Sequence, residues 1–147
     1  MQWRHDSLTL DDDPARLDLD RVRSLLRQTY WAADRSRETI ESSLRHSLNF
    51  GLYDPAQLIG FARVITDFAT HAYLCDVVID AEHRGGGLGT WLMECILNHP
   101  RLGTCRMDLF TKDAQGFYRG LGFAPHRFTC LVRYPENYSG GSGSDRC

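Results

Sequence analysis

Apolar positions along this 147-residue chain recur with two different periods. Within residues 17–31 they fall at Leu19, Val22, Leu25 and Leu26, with Thr29 on the same face, which predicts a first helix. The stretch AADRSR then interrupts, and Thr39, Ile40, Ser43, Leu44 and Leu48 repeat the helical spacing behind Ser36, a residue suited to cap the helix start. A short strand is expected before these helices at residues 6–10, ended by Asp11, Asp12, Asp13 and Pro14. From Asn49 the period shortens. NFGLYD, a turn at Asp54 and Pro55, and QLIGFARVITD predict two antiparallel strands joined as a hairpin.

A further strand is expected at residues 72–79. Its core, YLCDVVID, is almost continuously apolar, as in a central strand buried on both faces, and Asp76 interrupts it. An unpaired carboxylate there costs several kcal/mol, so Asp76 must be paired, protonated or facing a wet cavity. A glycine-dense turn follows and passes directly into an amphipathic helix bearing Leu88, Leu92, Cys95 and Ile96, ended by Pro100. A strand at about residues 104–111, a short helix at about 114–121 and a last strand at about 128–134 complete the order. Helices first, an antiparallel meander and a β-α-β-α-β close describe an α/β (α+β) fold. We expect one domain over residues 1–138 and a flexible Gly/Ser-rich tail over 139–147, with neither internal repeat nor domain boundary.

Composition changes this picture little. A formal charge of −2 supplies no cationic surplus for a phosphate backbone, so nucleic acid is not an expected partner. Lys112 is the sole lysine, and the remaining basic residues are arginines, whose planar fork suits phosphate and carboxylate. The five cysteines are widely spaced, with no CxxC pair and no Cys/His spacing for a metal, which fits reduced thiols in a cytoplasmic protein. No apolar run approaches the roughly 18 residues of a membrane span, and the N-terminus has none of signal-peptide length.

The chemistry concentrates at Arg84, Gly85, Gly86, Gly87, Leu88, Gly89 and Thr90. A strand-to-helix turn leaves the first helical N–H groups without intrahelical partners, glycines allow close approach of a phosphate, and Arg84 adds a charge-assisted contact. A diphosphate suits such a turn, although a tight turn needing glycine for its backbone angles has the same look. The nucleotide P-loop GxxxxGK[ST] is excluded because no lysine stands here, and the dinucleotide pattern GxGxxG fails at Thr90. The pattern that fits is [Q/R]xxGxG/A, with Arg84, Gly87 and Gly89 in place. Downstream, DAQGFYRGLGF places Ala114, Tyr118, Gly122 and Phe123 in an A-x-x-x-Y-x-x-x-G-F arrangement.

With both motifs in order over roughly residues 6–134, the chain resembles the GNAT superfamily of acetyl-CoA-dependent N-acetyltransferases. The resemblance implies a mixed, mostly antiparallel central sheet of about six to seven strands flanked by about four helices. It implies that the glycine turn grips the coenzyme A pyrophosphate and that the backbone of Val77, Val78 and Ile79 binds the pantetheine arm, with Val78 or Ile79 N–H facing the oxyanion. Thr111 and Lys112 stand where many relatives place an asparagine, a departure that touches one coenzyme contact.

The implied reaction is direct attack of an amine on the thioester, with no metal. Tyr118 resembles the family's general acid, a phenol placed to protonate the departing thiolate. A core tyrosine bonding a backbone carbonyl is the plainer alternative. Asp76 is the first candidate for the base, against a structural carboxylate paired with arginine; Asp67, Asp108 and His71 are lesser candidates. Cys75 and Cys105 lack an adjacent histidine, which argues against a cysteine nucleophile. Tyr30, Trp31, Arg35, Asp67 and Phe68 are the expected substrate contacts, with Arg37 an alternative carboxylate ligand and Phe50 and Tyr53 further aromatic walls. The expected activity is acetylation of a small-molecule primary amine. A protein or peptide amine, or a non-catalytic acyl-CoA-binding module, are alternatives. A homodimer is a family-level expectation.

Overall fold

In the computed structural model, which describes residues 1–136, six strands form one sheet in chain order. They are β1 (Gln2–His5), β2 (Leu8–Asp11), β3 (Leu48–Tyr53), β4 (Leu58–Thr66), β5 (His71–Ile79) and β6 (Arg106–Asp108). Every neighbouring pair is antiparallel except β5 and β6, which run parallel. The helices are α1 (Leu19–Leu26), α2 (Arg37–Arg45), α3 (Leu88–Leu97) and α4 (Gln115–Gly120). This is the expected mixed, mostly antiparallel sheet with four helices. The expected tail, 139–147, lies outside the described residues.

Three local departures have physical reasons. The single strand expected at residues 6–10 is a hairpin, β1 and β2, turning on Asp6 and Ser7. Asp6 sits at φ 52, the left-handed backbone that two-residue hairpin loops require and that Asp tolerates. The first helix is shorter than its apolar period. Asp18 caps its start by accepting from the N–H groups of Asp20 and Arg21, and Thr29 Oγ1 donates to Leu26 O at 2.7 Å beyond its end, a local bond that competes with helical continuation. The last strand expected at 128–134 is absent: that segment carries no strand, and Phe128, Leu131 and Val132 are exposed. A strand exists only through pairing, and β6, at the end of the sheet, spans just three residues. By contrast, Ser36 caps α2 as expected, accepting from Thr39 N–H at 3.2 Å.

The sheet separates two apolar cores. On one face Phe50, Leu52, Val64 and Leu74 pack with Leu92, Met93 and Ile96 of α3. On the other, Phe61 and Val78 pack with Val22, Leu25 and Leu26 of α1 and Ile40 of α2. Burying each such side chain stabilises the fold by about 1.5–3 kcal/mol.

The decisive irregularity lies between β4 and β5. Arg63 pairs with Cys75 and Phe61 with Val78, so Ala62 opposes two residues, Asp76 and Val77. This bulge places Asp76 at φ 56 and exchanges the faces of β5: Ala72 and Leu74 face the α3 core before it, and Val77 and Ile79 do so after it. β5 is therefore not buried on both faces. Buried and half-buried residues alternate along it, and the half-covered Tyr73, Cys75 and Val77 line a cavity.

Candidate active site

β5 and β6 start together and part. Their parallel pairing runs only over His71–Tyr73 against Arg106–Asp108, so among the described residues the rest of β5, up to Ile79, has no strand beside that edge. A cavity of about 720 Å³ fills the gap, lined by Leu74, Cys75, Asp76 and Val77 of β5 and by Leu109 through Ala114 beyond β6. The link between α1 and α2 adds Tyr30, Trp31 and Arg35, and α4 adds Tyr118.

At the far end of β5 the chain makes the glycine turn. Asp80 N–H donates to Ile59 O at 2.8 Å, the Asp80 carboxylate is ion-paired with Arg21 of α1, and Ala81 N–H donates to Gln28 Oε1 at 3.0 Å. Arg84 Nε donates to Ile79 O at 2.9 Å, tying the turn to the end of β5. Gly85 (φ 89) and Gly87 (φ 76) hold left-handed conformations that glycine adopts without strain, and the Cβ direction of Gly85, Gly86 and Gly87 opens onto empty space. Gly87 caps α3 with no side-chain hydrogen bond, leaving the N–H groups of Leu88, Gly89 and Thr90 without intrahelical acceptors. The space, the free N–H groups and the nearby guanidinium fit a diphosphate. Gly89 approaches Phe117 and Ile79 closely enough that a Cβ there lies 3.7 Å from the Phe117 ring, so α4 packs against the start of α3.

Tyr118 on α4 is held by edge-on rings of Phe117 at 5.0 Å and Phe123 at 5.7 Å. Its hydroxyl has no hydrogen-bond partner among the described residues, unlike a core tyrosine bonded to a carbonyl. Burial raises its pKa above the ordinary 10.0, with Tyr30 and Asp113 adding to the effect. Cys75 is a poor nucleophile: burial pushes its thiol to about 12, against the opposing pull of Arg63.

Asp76 is buried, and its Oδ2 accepts from Arg35 Nη1 at 2.9 Å and from Arg63 Nε at 2.8 Å. Arg63 also donates to Ser47 Oγ at 3.0 Å. Arg63 is a residue that the sequence reading missed. Its signal was available, a lone cation in the apolar run LIGFARVIT opposite a lone carboxylate in YLCDVVID. Tyr73, Phe110, Lys112 and Tyr134 also line the cavity without having been singled out for substrate.

Other expected site residues lie elsewhere. Asp67 clamps the β4–β5 turn, with Oδ1 accepting from Ala69, Thr70 and His71 N–H and Oδ2 from the Thr70 hydroxyl. Phe68 stacks under Arg101 at 3.6 Å, against the α3 core. Neither lines the cavity. Arg37 is ion-paired with Asp20. Phe50 is wholly buried near Trp3 and His99, and the Tyr53 hydroxyl donates to Arg16 O. His71 and Asp108 face each other at 3.6 Å where β5 and β6 still pair.

Comparisons with known proteins bear directly on this arrangement. The family model described as "Acetyltransferase (GNAT) domain" matches residues 45–125, more than half of the chain. A Gibberella zeae protein named as an acetyltransferase is 31% identical over 149 residues, covering 85% of this chain and 84% of its own.

The chain belongs to the GNAT acetyltransferase family.

A solved Xanthomonas campestris structure described as a GNAT-family acetyltransferase is 38% identical with a TM-score of 0.83, covering 90% of this chain and 94% of that one. A GNAT family acetyltransferase from Elizabethkingia anophelis, solved with acetyl-CoA bound, shares the fold at 17% identity and a TM-score of 0.59, covering 80% of this chain and 74% of that one. This GNAT chain is an acyltransferase. Among the described residues no group of three or more His, Cys, Asp or Glu is placed to hold a metal ion, and no helix is long and apolar enough to cross a membrane.

Proposed function

We propose that the protein transfers an acetyl group from acetyl-CoA to a primary amine of a small molecule, by direct attack in a ternary complex. The observation that carries this reading is the split between β5 and β6, which leaves a β5 edge unpaired among the described residues beside a cavity lined by Tyr118, with the glycine turn following the end of that strand. Acetyl-CoA as donor is supported by family membership and by its presence in the Elizabethkingia anophelis relative.

In this reading Arg84, Gly85, Gly86 and Gly87, with the N–H groups of Leu88, Gly89 and Thr90, hold the pyrophosphate. The free edge at Val77, Val78 and Ile79 takes the pantetheine amides as an added strand takes its neighbour, and its N–H groups face the developing oxyanion. The Tyr118 hydroxyl gives its proton to the departing thiolate, and the proton shed by the acylated nitrogen restores the phenol. Asp76 acts as a positioning residue in place of the base role expected of it. A proton on its carboxylate would forfeit charge-assisted bonds to two guanidinium groups, and those bonds fix Arg35 and the bulge. The amine then enters as its free base.

Initial rates of thiol release, with acetyl-CoA and amine both varied, test this proposal. Direct transfer predicts intersecting double-reciprocal lines, and Cys75→Ala retains turnover within about threefold, because loss of an essential nucleophile costs far more. Parallel lines, or an inactive Cys75→Ala that still binds acetyl-CoA, would contradict direct attack.

A further inference from the structure

The acceptor end of the cavity has an unbalanced charge. Arg35 and Arg63 share one carboxylate, Asp76, through the same oxygen, so the three side chains together carry one net positive charge. This group is sheltered, with side-chain exposures of 24%, 10% and 2% for Arg35, Arg63 and Asp76. The rim does not neutralise it. Lys112, 5.6 Å from the Tyr30 ring, is offset by the adjacent Asp113, so three cations meet two carboxylates among the described lining residues.

A second, separate imbalance lies beside it. Trp31 lines the same cavity, and its indole Nε1–H is buried without an acceptor among the described residues. A buried donor left unpaired is costly, so a ligand that supplies an acceptor recovers part of that cost. The surplus cation and the orphan donor ask for the same thing, an anionic oxygen. The tyrosine and tryptophan faces of Tyr30, Trp31 and Tyr73 supply apolar surface around it.

We infer that the acceptor is an amino carboxylate with an apolar body, an amino acid or a close relative, its carboxylate held by Arg35 and the Trp31 indole N–H. Polycationic amines are disfavoured by the same charge. This inference rests on the acetyltransferase reading above and narrows its substrate.

The test uses matched acceptors that differ only in the carboxylate: phenylalanine with phenethylamine, leucine with isoamylamine, and spermidine as the polycation. Release of CoA thiol is compared per free-amine concentration for the intact protein, Arg35→Met and Trp31→Phe. The ratio of two acceptors on one preparation does not depend on how much of a variant has folded. The inference expects at least a tenfold preference in kcat/KM for an amino carboxylate, a ratio falling toward one in Arg35→Met and severalfold in Trp31→Phe, and no use of spermidine. A preference for the simple amine or spermidine, or a ratio unchanged in Arg35→Met, overturns the inference alone. Absence of thiol release with every amine, while acetyl-CoA still binds, overturns the acetyltransferase reading and this inference together.

Discussion

At the scale of single residues, the site depends on two side chains whose surroundings set their chemistry. Tyr118 has a hydroxyl with no hydrogen-bond partner among the described residues and a pKa raised first by burial, then by Tyr30 and Asp113, so it remains a protonated phenol throughout the neutral range. If it protonates the thiolate, the acid form is required, and activity should persist up to about pH 10 and fall above it. Tyr118→Phe, which keeps the ring against Phe117 and Phe123, should lower kcat by about 10²-fold or more and leave the acetyl-CoA Kd within a few-fold. A pH–rate profile of that variant should also lose the alkaline fall. Undiminished kcat in Tyr118→Phe would remove it from the acid role. Asp76 shows where sequence alone stopped. Its isolation in an apolar strand established that it needed partners, but the bulge that turns it toward both Arg35 and Arg63 is a tertiary feature, invisible in YLCDVVID.

At the scale of elements, the glycine turn is only as well placed as the parts that hold it. Arg21 of α1 is the main clamp: it is ion-paired with Asp80 and its Nε donates to Leu58 O at 2.8 Å, so it spans β4 and the turn after β5. Arg21→Met keeps the stem against the core and removes the charge. It should weaken acetyl-CoA binding about tenfold by calorimetry while the far-ultraviolet circular dichroism stays intact, since it touches no expected ligand atom. Unchanged binding would mean that the turn is held without α1. Element existence was legible from periodicity, and element ends were legible where a cap announced them, as Ser36 does for α2. Ends set by competition were not. Thr29 draws the carbonyl of Leu26 away from the helix pattern, and β1 with β2 is marked only by an Asp-Ser turn. The segment at 128–134 reads as a strand from its apolar residues, but strand formation needs a neighbour that the sequence cannot supply.

At the scale of the whole molecule, carboxylates held below the ordinary range tie distant parts of the fold to pH. Asp67 is lowered by the Thr70 hydroxyl and then by three backbone N–H groups of its own turn. In Asp11 burial pushes upward, but hydrogen bonds from Arg16, Asp13 N–H and Gln2 outweigh it, and in Asp80 burial is likewise outweighed by Glu82 N–H and Arg21. Folded values below the unfolded one mean stability that is present in full above about pH 4 and is lost as pH falls below it. Thermal midpoints should therefore be level from pH 6 to 8 and drop steeply below about 4, and a midpoint insensitive to acid would contradict these three assignments. The fold class was legible early, because the spacing of Arg84, Gly87 and Gly89 and the Tyr118 motif are local. The lining of the cavity was only half legible. Tyr30, Trp31 and Arg35 were expected, whereas Asp67 and Phe68 are claimed by the β4–β5 turn and the α3 core. The central claim, that the glycine turn and the free edge of β5 receive acetyl-CoA, is tested most directly by calorimetric titration of the whole chain with acetyl-CoA beside an Arg84→Gln, Gly87→Val double variant. One site per chain with a Kd of about 1–100 μM, weakened at least tenfold in the variant, is the result this account predicts. Absence of binding, or equal binding by both proteins, would contradict it.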